Sequence, residues 1–266
     1  MNIIVCLKQV PDAAHVKLDP VTHTLRREGV AAVINPFDLF ALEAALRLKE
    51  QVPGTAIKAL SMGPPQAAEV IKEAIGFGVD EGLLLSDRAF AGADTWATTA
   101  ALAAGVKKLG GADLIICGKQ AIDGDTAQVG PGLAYRLGLP HVAFVKGWAE
   151  AAGDHLVVLR QMDEGHDVVR LPLPGLITVV REVGEPRPPS LKGKMRAKGY
   201  QVPVAGAAEL GLAENQVGLA GSYTQVVEVF APQTGGSREM IPGTAAAAGR
   251  AVMDRLAAAK VVMVGN

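Results

Sequence analysis

Aromatic residues make up only 4% of this 266-residue chain, with two tryptophans and three tyrosines among them. That scarcity excludes a nucleic-acid surface built on base stacking, which needs aromatic platforms in a basic groove. Cysteine is scarcer still: Cys6 and Cys117 are the only two, and both sit inside apolar, strand-like runs. A disulfide framework or a zinc cluster is therefore not expected, and a reduced, cytoplasmic setting is. Neither sign of charge dominates, since 26 basic residues face 27 acidic ones for a formal charge of −1. No global pull toward nucleic acid or an anionic membrane follows, so partner choice must rest on local sites. No apolar stretch approaches the ~18 uninterrupted residues of a membrane span. The first apolar run is interrupted by Lys8 and lacks the cleavage site of a secretory signal. His15, His23, His141, His155 and His166 are scattered, without the spacing of metal ligands or an evident Cys partner. Neither G-x-G-x-x-G nor the Walker pattern fits: Gly76-Phe77-Gly78 leads to Glu81, and Gly118-Lys119 is followed by Gln120.

What is present is alternation. With 49% hydrophobic residues the chain can bury the core of one full α/β domain with appended elements. Short apolar runs at Asn2–Leu7, Thr55–Ser61, Gly82–Leu85 and Asp113–Cys117 read as parallel strands buried on both faces. Between them lie three helical segments. Asp38–Glu50 carries Leu39, Leu42, Ala45, Leu46 and Lys49 at helical spacing, with Asp38 placed as its cap. "PPQAAEVIKEAIGFG" opens on proline and closes on glycine, and Asp94–Gly111 is rich in alanine. The pattern predicts a doubly wound, mostly parallel sheet in which strand four returns to the far side of strand one. A crevice opens where the order reverses. The two strands beside it, "NIIVCLKQV" and "DLIICGKQA", share Cys-x-Lys-Gln at their carboxyl ends, where ligands of open α/β sheets bind.

After Gly138, four short strand-like runs should complete the sheet and add a hairpin. Beyond Val183 the chain turns proline- and lysine-rich, and no helix is expected in "GEPRPPSLKGKMRAKG", whose most hydrophobic residue is Leu191. From Tyr200 on, one helical stretch, "GTAAAAGRAVMDRLAAAK", stands in a tail with too few large apolar residues for a core of its own. Such a tail reads as an arm packed on another subunit.

Ile116–Gly130, "ICGKQAIDGDTAQVG", runs from strand four toward the next helix. That helix starts either after a Thr126 cap or with Gly130 preceding Pro131 at the first helical position. Both starts leave unpaired N–H groups at a helix N-terminus, which favours an anion. Asp123 and Asp125 oppose simple phosphate binding unless they point away, hold ribose or adenine, or share a cation. Merely capping turns is their equally available role. Asn35 and Pro36 precede the first helix, and "SMGPPQ" feeds the second, so three helix N-termini are expected at one crevice.

Together, "VCLKQVPD", "INPFDLFALEAALRLKE", "SMGPPQAAEVIKEAIGFGVDEG", "GKQAIDGDTAQVGP" and "EPRPPSLKGKMRAK" resemble the β subunit of electron transfer flavoproteins, continuously to about Lys198 and more thinly through the tail. The resemblance implies an α/β fold of the adenine nucleotide α-hydrolase-like type and an obligate heterodimer with an α subunit carrying a mobile FAD. It also implies electron exchange with an acyl-CoA dehydrogenase or a quinone oxidoreductase. Residues 1–183 then form the nucleotide-binding domain, 184–200 the partner-recognition loop, and 201–266 an arm and helix contacting the α subunit. The family's nucleotide contacts fall on Cys6, Asn35, Pro36, Phe37, Asp38 and Met62, and on Lys119, Gln120, Ala121, Ile122, Asp123, Gly124, Asp125, Thr126, Ala127, Gln128, Val129 and Gly130. Its docking loop falls on Glu185–Lys198, with Leu191 as the apolar anchor.

Two subclasses differ at the β site: conventional members hold a structural AMP, whereas bifurcating and nitrogen-fixation-linked members hold a second FAD that takes hydride from NADH. Asp87–Ala103, with Val10–Asp12 and "DGDTAQVGP", is similar to the second group. There Ala91, Gly92 and Ala93 would leave room for a flavin, and Asp94, Thr95 and Thr98 would hydrogen-bond it. An ordinary helix start capped by Asp94 fits the same letters. The expected function is therefore electron bifurcation from NADH, with a ferredoxin or flavodoxin on the low-potential route. A conventional AMP-holding subunit is the near alternative, and a free-standing adenine-nucleotide enzyme the remote one.

Overall fold

The computed structural model of the chain describes residues 1–12, 17–18, 25–26, 32–227 and 239–261. The chain divides into two compact units, Met1–Glu228 and Val229–Asn266. In the first, β1 (Asn2–Leu7) leads into small antiparallel pairs: β2 (Gln9–Pro11) with β5 (Ala32–Ile34), and β3 (Lys17–Leu18) with β4 (Leu25–Arg26). Helix and strand then alternate through α1 (Pro36–Gln51), β6 (Ala56–Met62), α2 (Ala68–Phe77), β7 (Glu81–Leu85), α3 (Thr95–Lys108), β8 (Leu114–Gly118) and α4 (Val129–Leu137). An antiparallel meander of β9 (His141–Ala151), β10 (His155–Gln161) and β11 (His166–Pro172) follows. The unit closes with β12 (Gly175–Val179), α5 (Leu191–Gly199) and β13 (Val204–Ala205).

Among the described residues the main sheet has nine strands in the order β11-β10-β9-β12-β8-β1-β6-β7-β13. The chain steps outward from β1 through β6 to β7, then returns to lay β8 on the other side of β1, as the alternation predicts. Cys6 stands level with Leu60 of β6 on one side and Cys117 of β8 on the other. The four strand-like runs after Gly138 also enter the sheet: β12 inserts in parallel between β8 and β9, and the hairpin extends the edge.

Successive β1 side chains divide between two cores, one on each face. Ile3, Val5 and Leu7 pack with α1 and α2 residues such as Leu42, Leu48 and Ile71. Ile4 and Cys6 pack with α3 and α4 residues such as Leu102, Val106 and Leu133. Double burial explains the unbroken apolar run of β1, because neither face of a central parallel strand meets water.

Two segments depart from expectation. The proline-rich stretch does form a helix, α5, because its prolines end at Pro189 and Ser190 caps the start by accepting a hydrogen bond from the Gly193 N–H at 3.0 Å. The segment before it is tied to α1 by Arg187, whose guanidinium engages the buried Glu43 carboxylate at 2.8 and 2.9 Å and also pairs with Glu50. The second departure is the stretch expected to leave as an arm at residue 201. Val204 and Ala205 instead pair with β7, the Tyr200 hydroxyl accepts from the Gly82 N–H at 2.9 Å, and Ala205, Ala207 and Val217 are buried. Residues 201–227 are thus part of the α/β unit, because the exposed edge of β7 offers backbone partners. In the second unit, α6 (Ala245–Ala258) is capped by Thr244 and buries no residue, and residues 228–238 lie outside the described residues.

α5 approaches α2 very closely: a Cβ on Gly193 would lie 2.0 Å from the Gly76 carbonyl oxygen. A backbone atom cannot yield as a side-chain tip can. Gly193→Ala is therefore expected to destabilise the unit by about 1–3 kcal/mol despite alanine's better helix propensity. In hydrogen exchange the α5 amides should open while β1 stays protected; unchanged α5 protection would mean that the helix is not seated on α2.

Candidate functional site

β1 and β8 end side by side, and the first turn of α1 crosses their carboxyl ends. Asn35 is 1% exposed and Asp38 6% exposed, unusual burial for such residues. Their partners explain it. The Asp38 carboxylate accepts from the Lys8 N–H at 2.7 Å, and the Gly118 N–H and the Asn35 side chain also hydrogen-bond to it. The Asn35 side chain donates to the Gln120 carbonyl at 2.8 Å and accepts from the Ile122 N–H at 3.2 Å, while its own N–H donates to the Lys8 carbonyl at 2.9 Å. Asp38 is not the helix cap its position suggested. Asn35 holds that place without a side-chain cap bond, Pro36 opens the helix, and the two polar side chains are spent on the strand ends. Gly118 is required here: a Cβ would lie 2.4 Å from Asp38 Oδ1 and 2.7 Å from the Phe37 carbonyl carbon.

In the loop after β8 the two aspartates take different partners. Asp123 is paired with Lys8, whose Nζ lies 2.7 and 2.8 Å from its two oxygens, and Asp125 accepts from the Gln120 side chain. Neither carboxylate is left without a hydrogen-bonding partner. Asp125 and Ala127 adopt left-handed backbone, with φ of 53° and 54°. Ala127 is followed by Gln128 in the right-handed region, a succession that turns neighbouring N–H groups toward one side. α4 begins at Val129, with Gln128 in the cap position and no side-chain cap, so neither of the two expected starts is used. Its first-turn N–H groups are thereby free of side-chain competition for an anion. Lys119 adds a cation, its Nζ lying 5.5 Å from the centre of the Phe144 ring.

These elements enclose a cleft of about 720 Å³, within the usual range for small-molecule sites. It is lined by Asn35, Asp38, Met62, Asp94, Thr95 and Thr98, by Lys119, Gln120 and Ala121, and by the run from Gly124 to Gly130. Most of the residues expected at the site are therefore brought together. Five are not in the lining. Cys6 packs in the α3/α4 core, Pro36 and Phe37 belong to the α1 turn, Ile122 is held by Asn35, and Asp123 pairs with Lys8. Cys117 lines the cleft as a protonated thiol, since a hydrogen bond with the Cys6 thiol, followed by burial, holds it well above its ordinary range.

The three expected helix N-termini are also revised. Those of α1 and α4 reach the cleft, but the third is that of α3, while α2 sends only Met62, from the strand before it. Asp94 caps α3 by accepting from the Ala97 N–H at 2.9 Å. Sequence reasoning missed Thr224, Gln225 and Val226, which also line the cleft. No local signal marks them, because their position depends on the chain folding back from β13. A larger groove, of about 1070 Å³, runs along α3, α4 and residues 209–223, but no strand end opens into it.

Burial pushes the Asp38 carboxyl up from 3.8 to about 7, against the lowering effect of its hydrogen bonds and of Lys8. A carboxyl with a raised folded pKa binds more protons when folded, so it subtracts stability as pH climbs from 3.8 to about 7 and subtracts it in full above that. Asp38→Asn, which mimics the protonated acid, should flatten that part of the pH profile of the denaturation midpoint. A profile unchanged by the substitution would refute the assignment.

Residues 22–210 match the family model for the electron transfer flavoprotein domain. The caffeyl-CoA reductase-Etf complex subunit CarD of Acetobacterium woodii is 48% identical over 244 residues, covering 92% of this chain and 93% of that one. The electron transfer flavoprotein subunit beta of Megasphaera elsdenii is 47% identical, covering 87% of this chain and 88% of that one. Protein FixA of Azorhizobium caulinodans is 47% identical over 87% of this chain and 85% of its own. With a family model matching more than half of the chain and relatives at this identity and coverage, the chain belongs to the electron transfer flavoprotein family, among its β subunits.

Proposed function

We propose that this β subunit binds FAD in the cleft at the ends of β1 and β8 and takes part in electron bifurcation from NADH, in a heterodimer with an α subunit. The observation that carries the reading is that one cleft is lined jointly by the 119–130 loop and by residues 92–98. An adenosine monophosphate needs only the first wall. A longer dinucleotide uses the second as well, where Gly92 and Ala93 leave space and Thr95 and Thr98 offer hydroxyls. The resemblance to CarD and FixA supports the same subgroup.

In this reading the first-turn N–H groups of α4 and the Lys119 ammonium hold the diphosphate. The Lys8 ammonium offsets the Asp123 charge, and the Gln120 side chain fixes the orientation of the Asp125 carboxylate. FAD, when bound, supplies hydride acceptance from NADH and one-electron release along two routes, to an acyl-CoA dehydrogenase or quinone oxidoreductase and to a ferredoxin or flavodoxin. The protein contributes position, electrostatics and exclusion of water. The final helix, α6, would pack on the α subunit. Among the described residues no helix is long and apolar enough to cross a membrane.

Leu191, 79% exposed, and Met195, 71% exposed, stand one turn apart on α5 among Lys192, Lys194, Arg196 and Lys198. An apolar pair in a basic rim is the composition of a small docking surface for a dehydrogenase. Leu191→Ala is expected to weaken that docking by about 2 kcal/mol, slowing electron transfer to the dehydrogenase at unchanged flavin content. Loss of flavin would mean that the docking surface lies elsewhere.

Denaturing the native αβ complex and quantifying released nucleotides tests the main claim. The expected result is two FAD per heterodimer and no AMP. One FAD with one AMP would replace bifurcation by the conventional electron carrier, whose β-site nucleotide is structural.

A further inference from the structure

The wall formed by Thr224, Gln225 and Val226 is held in place largely by one side chain on α3. Asp94 Oδ1 accepts from the Ala97 N–H at 2.9 Å and so caps the helix. Its other oxygen, Oδ2, accepts from the Tyr223 N–H at 2.8 Å, the Thr224 N–H at 3.1 Å and the Thr224 hydroxyl at 3.2 Å. The connection is reciprocal: the Asp94 N–H donates to the Ser222 hydroxyl at 2.8 Å, and that hydroxyl donates to the Gly218 carbonyl at 2.7 Å. The Leu219 N–H donates to the Ala91 carbonyl at 3.0 Å, and the Tyr223 ring lies 5.8 Å from that of Trp96. Beyond these contacts the strap is loosely held, with Val226 and Val227 largely exposed.

Burial alone would raise the Asp94 carboxyl. The N–H groups of Ala97, Thr224 and Tyr223 more than offset it, and the group sits below its ordinary value. It is therefore an anion at neutral pH, able to accept from all of these donors at once.

We infer that Asp94 is a positioning residue rather than a cofactor contact: it latches residues 222–226 across the cleft, so that nucleotide binding and ordering of this strap are coupled. The inference rests on the cleft taking an adenine nucleotide. Thermodynamic linkage then runs both ways, with nucleotide holding the strap and the latched strap raising nucleotide affinity.

Asp94→Asn separates the two jobs of the side chain. Its carbonyl can still cap α3, but its amide nitrogen then faces the N–H groups of Tyr223 and Thr224, donor against donor. Ser222→Ala provides an independent variant, because Ser222 is not among the residues that line the cleft. The experiment uses the full chain in complex with its α subunit, with FAD and AMP as probes. It measures affinity by calorimetry, helix content by circular dichroism and amide exchange at residues 223–224.

In the wild type, nucleotide should slow exchange at Tyr223 and Thr224. Asp94→Asn should speed it and weaken nucleotide binding about tenfold, the scale of a lost hydrogen bond to a charged group, with helix content unchanged. Ser222→Ala should shift both readouts the same way by a smaller factor. Faster exchange with unchanged affinity would overturn the coupling, as would weaker binding with exchange unchanged, since Asp94 would then be a direct contact. If Asp94→Asn lowers helix content, Ser222→Ala decides alone, and unchanged affinity in it overturns the coupling. A wild-type complex that binds neither probe would instead overturn the nucleotide reading, and the coupling with it.

Discussion

The site depends on a buried polar knot at the sheet's switch point. Two strands that diverge there, β1 and β8, would leave backbone groups at their ends facing a crevice rather than each other. Asn35, at the cap of α1, and Asp38, in its first turn, take up those groups: the Lys8 and Gly118 amides on Asp38, and the Gln120 carbonyl and Ile122 amide on Asn35. Buried polar side chains are tolerable only when satisfied, and these are satisfied almost wholly by backbone from three separate elements. The knot therefore fixes where α1 starts and where the 119–130 loop departs.

From that constraint the chemistry of the cleft follows. Holding Ile122 and Gln120 in place delivers Asp123 to the Lys8 ammonium and Asp125 to the Gln120 side chain, so that one loop carboxylate is charge-paired and the other, at the cleft, is hydrogen-bonded. Also lining the cleft are the starts of α3, capped by Asp94, and of α4, which has no side-chain cap, together with Lys119. The left-handed conformations of Asp125 and Ala127, uncommon for residues with a Cβ, are the local cost of aiming the loop this way. Such backbone persists where the surroundings over-determine it, and Asp125 is fixed here by its N–H donating to the Ala121 carbonyl and its carboxylate accepting from Gln120.

Much of the fold was legible because it rests on periodicity. The four doubly buried strands declare themselves as unbroken apolar runs, and the observed boundaries lie within about a residue of those read from the letters. The paired Cys-x-Lys-Gln ends marked the correct two strands. The cap residues were less legible: Asp38 looked like an N-cap because aspartate near a helix start usually is one, and only its burial against Lys8 and Gly118 shows otherwise. The helix at Leu191–Gly199 was hidden by the prolines before it, whose restriction ends at Ser190. The role of Thr224–Val226 had no local signature at all.

By itself the sequence determined the class of fold, the pair of strands flanking the crevice, and the loops that supply its donors, because each follows from short-range pattern and from residue types with few alternative uses. Tertiary structure alone decided which helix starts meet there, which partners the loop aspartates take, and that a segment more than one hundred residues downstream of α3 closes the wall. Those outcomes turn on contacts between residues far apart in the chain, such as Asp38 with Gly118 and Asp94 with Thr224. No spacing rule encodes such contacts, since their energy exists only once the sheet has brought the partners within hydrogen-bonding distance.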